Sequence, residues 1–328
     1  MSASFTPRSS RFRAATLIEL LVALAITASL VASMLSMSRT LTASWRSASG
    51  AVSAQTEARR ALDQLQRDLE AAVFSSSGVA FAVDTVGGPD ETILWELPSP
   101  DRRKPVAASW DPERDRFGWG GVWLRFFTSN GGTRAVSYKI VRRTPTTNTG
   151  PGQARYYLYR GHVRAEKTFQ AGYDLAAPVY NPGFFPGGPV RVGDAAEIQR
   201  PRRDSLLANH VVDFGVRLYW RAPAGGGALE DVRIFPLSGT QMHRAPPFPG
   251  DVPAPYDLVE AQGFPPHATA NRIPDFAVIV LRVLTDEGAQ RLADYENGLI
   301  EGDWWDIVEA HSKVFTRRVS PRSTMVWR

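Results

Sequence analysis

Arg11–Ser38 reads RFRAATLIELLVALAITASLVASMLSMS, and Glu19 is the only charged residue between Ala14 and Ser38. A helix needs about 20 predominantly apolar residues to cross the hydrocarbon core of a bilayer, so the stretch predicts a transmembrane helix over 15–38. A carboxylate inside such a span costs roughly 2.5–3.5 kcal/mol at the bilayer centre and less toward its ends, so Glu19 needs a partner or a function. Arg8, Arg11 and Arg13 precede the span with no acidic residue among them. By the positive-inside rule they hold the N-terminus in the cytoplasm and send the following chain across the membrane. The small residues Ala14 and Ala15 come before the apolar run, the reverse of their order in a cleaved secretory signal.

Beyond the span the helical pattern continues. From Ala15 to Phe74 there is no proline and only one glycine, Gly50. Leu62, Leu65, Leu69 and Val73 recur at helical spacing, with Arg59, Arg60, Asp63, Gln64, Arg67 and Asp68 between them. This predicts an amphipathic helix over 39–75, stopped by Ser75-Ser76-Ser77-Gly78. It is either one helix with the span, roughly 90 Å long at 1.5 Å per residue, or a separate helix beginning after Gly50.

The rest of the chain reads as mostly β. Strands are expected at 92–97, 121–128, 134–142, 155–160, 210–220 and 231–235, where aromatic and β-branched residues are enriched. Asn130-Gly131-Gly132 is a hairpin signal between two of them. Residues 180–203 and 236–274 are dense in Pro and Gly and read as long loops, the second either a contact surface or a flexible excursion. Order returns with a central strand at 275–284. Thr285 then caps a helix whose Ala289, Leu292, Ala293 and Tyr295 face inward until Asn297-Gly298 ends it. A short helix at 303–311 and closing strands at 314–319 and 324–327 follow. The predicted fold class is α+β: a long N-terminal hydrophobic helix with an amphipathic continuation, packed on a mostly antiparallel sheet domain over 76–328, with irregular insertions near 180–203 and 236–274.

Composition excludes several kinds of chemistry. The 328 residues include no cysteine, which removes disulfides, thiolate metal sites and a cysteine nucleophile. The net charge of +5 owes three units to Arg8, Arg11 and Arg13. The remaining basic runs, Arg102-Arg103-Lys104, Arg142-Arg143, Arg200 to Arg203 and Arg317-Arg318, are short and scattered, read as solvated charge, and do not predict nucleic-acid binding. His162, His210, His243, His267 and His311 show no metal-ligand spacing, and there is no nucleophile elbow, phosphate loop or dinucleotide fingerprint. Trp304-Trp305 and the Trp119–Trp123 segment read as core packing before adhesive surface. No catalytic residue, metal site or cofactor is expected.

Thr16-Leu17-Ile18-Glu19-Leu20-Leu21-Val22-Ala23-Leu24-Ala25-Ile26 resembles the N-terminal motif of type IV prepilins and type II secretion pseudopilins. The resemblance covers about 25 residues and implies a pilin-like fold for a minor pseudopilin-like subunit of the bacterial inner membrane. It implies a single pass with the C-terminal domain in the periplasm. A membrane prepilin peptidase would cut between Ala14 and Ala15, the new N-terminus at Ala15 would be methylated, and Glu19 would stand fifth in the mature chain, serving assembly and peptidase recognition. The partners implied are other pilin-like subunits, through the N-terminal helix, and transiently the peptidase. The family has Gly before the cut and Phe after it, where this chain has Ala14 and Ala15. DFAVIVLRVLTDEGAQRLADYENG (275–298) and HSKVFTRRV (311–319) also resemble the C-terminal part of a prepilin-like class, Verru_Chthon cassette protein C. The alternative is a membrane-anchored periplasmic binding protein or enzyme that uses the same kind of anchor, and a further one is a tip adhesin or DNA-uptake pilin.

Overall fold

The computed structural model describes residues 17–75, 79–86, 95–144, 153–175, 177, 179–180, 194–223, 229–236, 274–321 and 326–327. The chain divides into two compact units, 1–49 and 50–328. Helix α1, Leu17–Glu70, is a single element of 54 residues, so no second helix begins at Gly50. Glycine costs a helix interior about 1 kcal/mol relative to alanine. Its place here follows from close packing: a Cβ at Gly50 would stand 3.1 Å from the Thr285 Cβ.

The first unit contains the apolar part of α1. Leu17–Thr42 is long and apolar enough to cross a membrane, and none of it is buried. Several of its hydroxyls are satisfied within the helix. Thr27, Ser33 and Thr42 donate to the carbonyls of Ala23, Ser29 and Ser38, four residues back, at 2.8–2.9 Å. Such bonds let Ser and Thr sit in an apolar phase without an orphaned polar group.

In the second unit, α1 presents Ala54, Ala58, Ala61, Leu62, Leu65 and Leu69 to the main core. Burying each leucine stabilises the fold by roughly 1.5–3 kcal/mol. The helix ends at Glu70, earlier than the serine run, and Val73 belongs to strand β1, Ala72–Ser75. The hydroxyl of Thr128 donates to the Asp68 carbonyl at 3.0 Å, and the Ser129 amide donates to the Ala71 carbonyl at 2.8 Å. Two carbonyls at the helix end thus find partners on the strand that β1 joins, which stops the helix there.

Twelve further strands follow: β2 Phe81–Thr85, β3 Trp110–Asp111, β4 Arg116–Phe117, β5 Val122–Thr128, β6 Arg134–Arg143, β7 Arg155–His162, β8 Leu206–Asn209, β9 Val211–Pro223, β10 Leu229–Phe235, β11 Phe276–Leu284, β12 Ser312–Val319 and β13 Val326–Trp327. Helices α2 Ala165–Ala171, α3 Asp286–Glu296 and α4 Trp304–His311 are the other α-helices among the described residues, and short 3-10 turns lie between the strands. One sheet runs β13-β1-β5-β6-β7-β8, with β2 also paired to β5. Strands β1 and β2 share one edge of β5, opposite Phe127–Thr128 and Val122–Phe126 respectively. All its pairings are antiparallel except β1 with β13. The second sheet, β10-β9-β11-β12, is antiparallel throughout. β3 and β4 form a small ribbon.

The first sheet is covered on both faces. Phe126, Val136 and Val83 enter the main core with α1 and the second sheet, while their neighbours Phe127, Ala135 and Ala82 enter a second core with Tyr180, Ala195 and Ile198. Alternate side chains point to opposite faces, so double coverage explains why β5 and β6 read as nearly continuous apolar runs.

The structure revises several sequence expectations. Thr92–Leu94 of the first expected strand lie outside the described residues, and Trp95–Leu97 form no strand. Trp95 is buried against Trp119, with ring centroids 4.1 Å apart. The described parts of 180–203 supply Tyr180 and Ile198 to the second core, both fully buried, so these parts are not loose loop. Most of 236–274 lies outside the described residues. Asp68, placed on the polar face of the helix, is fully buried, as are Lys104, Arg142 and Arg143 of the supposedly solvated basic runs.

Candidate functional site

Of the site residues expected from sequence, Arg8, Arg11, Arg13, Ala14 and Ala15 lie outside the described residues. Glu19 stands in the first turn of α1, its side chain exposed among Leu17, Ile18, Leu20 and Leu21, which are exposed as well. This apolar face, with one carboxylate near its start, is the candidate assembly surface.

Where α1 meets the sheet, Asp68 collects donors from four elements. It accepts from Arg160 Nε at 2.6 Å, from the Tyr138 hydroxyl, from Asn130 Nδ2 at 3.2 Å and from Gln64 Nε2 at 3.2 Å. Burial pushes its carboxyl upward, but the Arg160 hydrogen bond and charge more than offset this and hold it below the usual carboxylate range. A negative charge in the last turn of a helix opposes the helix dipole. The four donors are what make it tolerable, and they fix the end of α1 to β6, β7 and the β5–β6 hairpin.

Two further buried charge clusters tie the second unit together. Glu296, at the end of α3, accepts from Arg142 Nη2 at 2.6 Å and Nε at 3.0 Å, from the Tyr156 hydroxyl at 2.5 Å and from Trp304 Nε1 at 3.1 Å. Lys104 Nζ lies 3.6 Å from Asp213 and donates to the Val212 carbonyl at 3.1 Å, under the rings of Trp304 and Trp305. Burial pushes the Lys104 amine down and the Asp213 carboxyl up. Every principal group in these clusters is closed off from solvent, which suits fixing a fold better than meeting a substrate. Trp119, Trp304 and Trp305 are buried and pack the core, while Trp123 is partly buried.

The histidines are dispersed. His210 approaches Asp286 at 3.4 Å, His311 lies 3.1 Å from Arg291, and His243 and His267 are outside the described residues. Among the described residues no three His, Asp or Glu side chains are grouped to hold a metal ion.

His162 belongs to a large cleft, about 700 Å³ in volume. Arg60, Gln64 and Arg67 of α1 form one wall; Arg160 and His162 of β7, with Arg164 and Lys167 at the start of α2, form another. Glu197, Arg202 and Asp204 close it before β8. Sequence reading missed this cleft because its cations come from three separated stretches, 60–67, 160–167 and 202, and only the last lies in a basic run.

Comparison with known protein families, characterised proteins and solved structures gives no match to this chain.

Proposed function

We propose that the chain is a non-enzymatic, pilin-like subunit, a minor pseudopilin that enters a type IV pilus or type II secretion pseudopilus-like filament after cleavage between Ala14 and Ala15. The observation that carries the reading is the wholly exposed apolar segment Leu17–Thr42 with Glu19 in its first turn, at the start of the helix whose later residues enter the core of an antiparallel sheet unit. In this reading the segment anchors the chain in the bacterial inner membrane, the second unit lies in the periplasm, and the apolar helix later packs against those of other subunits.

Glu19 supplies the assembly chemistry. A carboxylate five residues into the mature helix meets the positive terminal amine of its own or a neighbouring subunit. That contact neutralises two charges that are otherwise expensive in an apolar setting. Glu19→Gln and Glu19→Ala are expected to leave membrane insertion intact and to reduce incorporation into filaments, measured by fractionation of sheared filaments from cells. Normal incorporation of both variants contradicts the role.

The basic cleft favours a second reading, a membrane-anchored periplasmic binding protein. The two readings separate on whether the chain is recovered within filaments.

A further inference from the structure

We propose that the cleft between α1, β7 and α2 is a binding site for a small ligand carrying two or more phosphate groups. Its lining includes six Arg and Lys side chains against two carboxylates, Glu197 and Asp204. Arg202 is engaged by both carboxylates, at 3.8 and 2.9 Å, and Arg160 by Asp68. Arg67 is held by the amide oxygen of Gln64 at 2.8 Å. Arg60, Arg67, Arg164 and Lys167 make no ion pair among the described residues, so four positive charges surround one concavity. Clustered like charge opposes the compact state and focuses an attractive field for anions into the cleft.

His162 is held below its ordinary range by burial and by the charges of Arg160 and Arg134.

The chemistry of the lining selects the ligand class. Five of the six cations are arginines, whose planar fork matches phosphate oxygens in a bidentate manner. A volume of about 700 Å³ falls within the range of small-molecule sites. Apart from His162 the lining has no aromatic side chain, so it lacks the stacking platforms by which proteins hold single-stranded nucleic acid. The same phosphate chemistry is offered by soluble phosphorylated molecules and by phospholipid headgroups.

The proposal is independent of filament assembly and is tested on the full chain in a neutral detergent. Titration calorimetry with inorganic pyrophosphate is expected to show saturable binding. Arg60→Glu and Lys167→Glu, both at side chains without an ion-pair partner among the described residues, should each weaken it by about tenfold or more. Arg59→Glu, next to the cleft but outside its lining, should leave it unchanged, and the two lining variants should melt no lower than the parent. The His162 ring signals should titrate at higher pH when pyrophosphate is bound. A parallel titration with a short-chain cardiolipin, whose headgroup carries two phosphates, distinguishes the sources. Binding lost in the same two variants and tighter than that of pyrophosphate identifies a lipid headgroup, and weaker or no binding identifies a soluble ligand. Absence of pyrophosphate binding, or binding equal in all variants, overturns the proposal.

Discussion

Asp68 shows how one residue joins helix to sheet. Its carboxylate is fully buried, and its donors come from α1, from the β5–β6 hairpin, from β6 and from β7. Replacing it with Asn leaves Arg160, which is mostly buried, without its counter-charge, and is expected to cost roughly 2–4 kcal/mol in urea unfolding at neutral pH. The pH dependence has a definite sign. The folded-state pKa lies below the ordinary value of 3.8, so the Asp68 contribution is complete above that value and is lost as pH falls below it toward the folded pKa. Asp68→Asn should therefore flatten the acid limb of the stability profile below about pH 4, and an acid limb identical to the parent's would refute the assignment. The burial of Asp68 was not legible in the sequence. Its position fits the polar face of an amphipathic helix, and Tyr138 and Arg160, which justify burying it, lie 70 and 92 residues further along the chain. Arg142 was misread for the same reason, since its partner Glu296 lies 154 residues away.

At the scale of elements, local patterns were informative wherever one segment carried its own signal. The apolar run before Thr42, the leucines at 62, 65 and 69, the Asn130–Gly132 hairpin and the Thr285 cap each correspond to an observed feature. Gly131 and Gly132 adopt positive φ, and the Thr285 hydroxyl accepts from the Gly288 amide at 3.1 Å. Short strands that exist only because a neighbour offers an edge were not legible. β1 has four residues and is defined by its pairing with β5 and β13. Packing between elements also gives some glycines a purpose that pattern does not reveal. A Cβ at Gly215 of β9 would stand 2.1 Å from the Phe117 ring, so the strand must be bare there for that ring to lie on it. Gly215→Ala is expected to destabilise the fold by about 2–3 kcal/mol, as overpacking a filled core does. Combining it with Phe117→Leu should return part of that loss relative to the sum of the two single changes. Strict additivity of the two substitutions in thermal or urea unfolding would contradict this packing.

For the whole molecule, the division of labour follows from where apolar surface is placed. The second unit packs most of its large apolar side chains into its own cores, whereas Leu17–Thr42 buries none of its own. An exposed apolar surface of this length requires a lipid or protein environment. Membrane anchoring followed by helix-to-helix assembly supplies both in succession, which is why the filament-subunit reading accounts for the exposed segment and for Glu19 together. Its central claim is that the basic leader is removed to create a charged N-terminus at Ala15, which makes Glu19 the fifth residue of the mature chain. The most direct test is the N-terminal sequence and intact mass of the protein isolated from the membranes of its host. The account requires a chain that begins at Ala15 and carries one added methyl group on its terminal amine. A chain that retains Met1, or one cut after the apolar run, would contradict it.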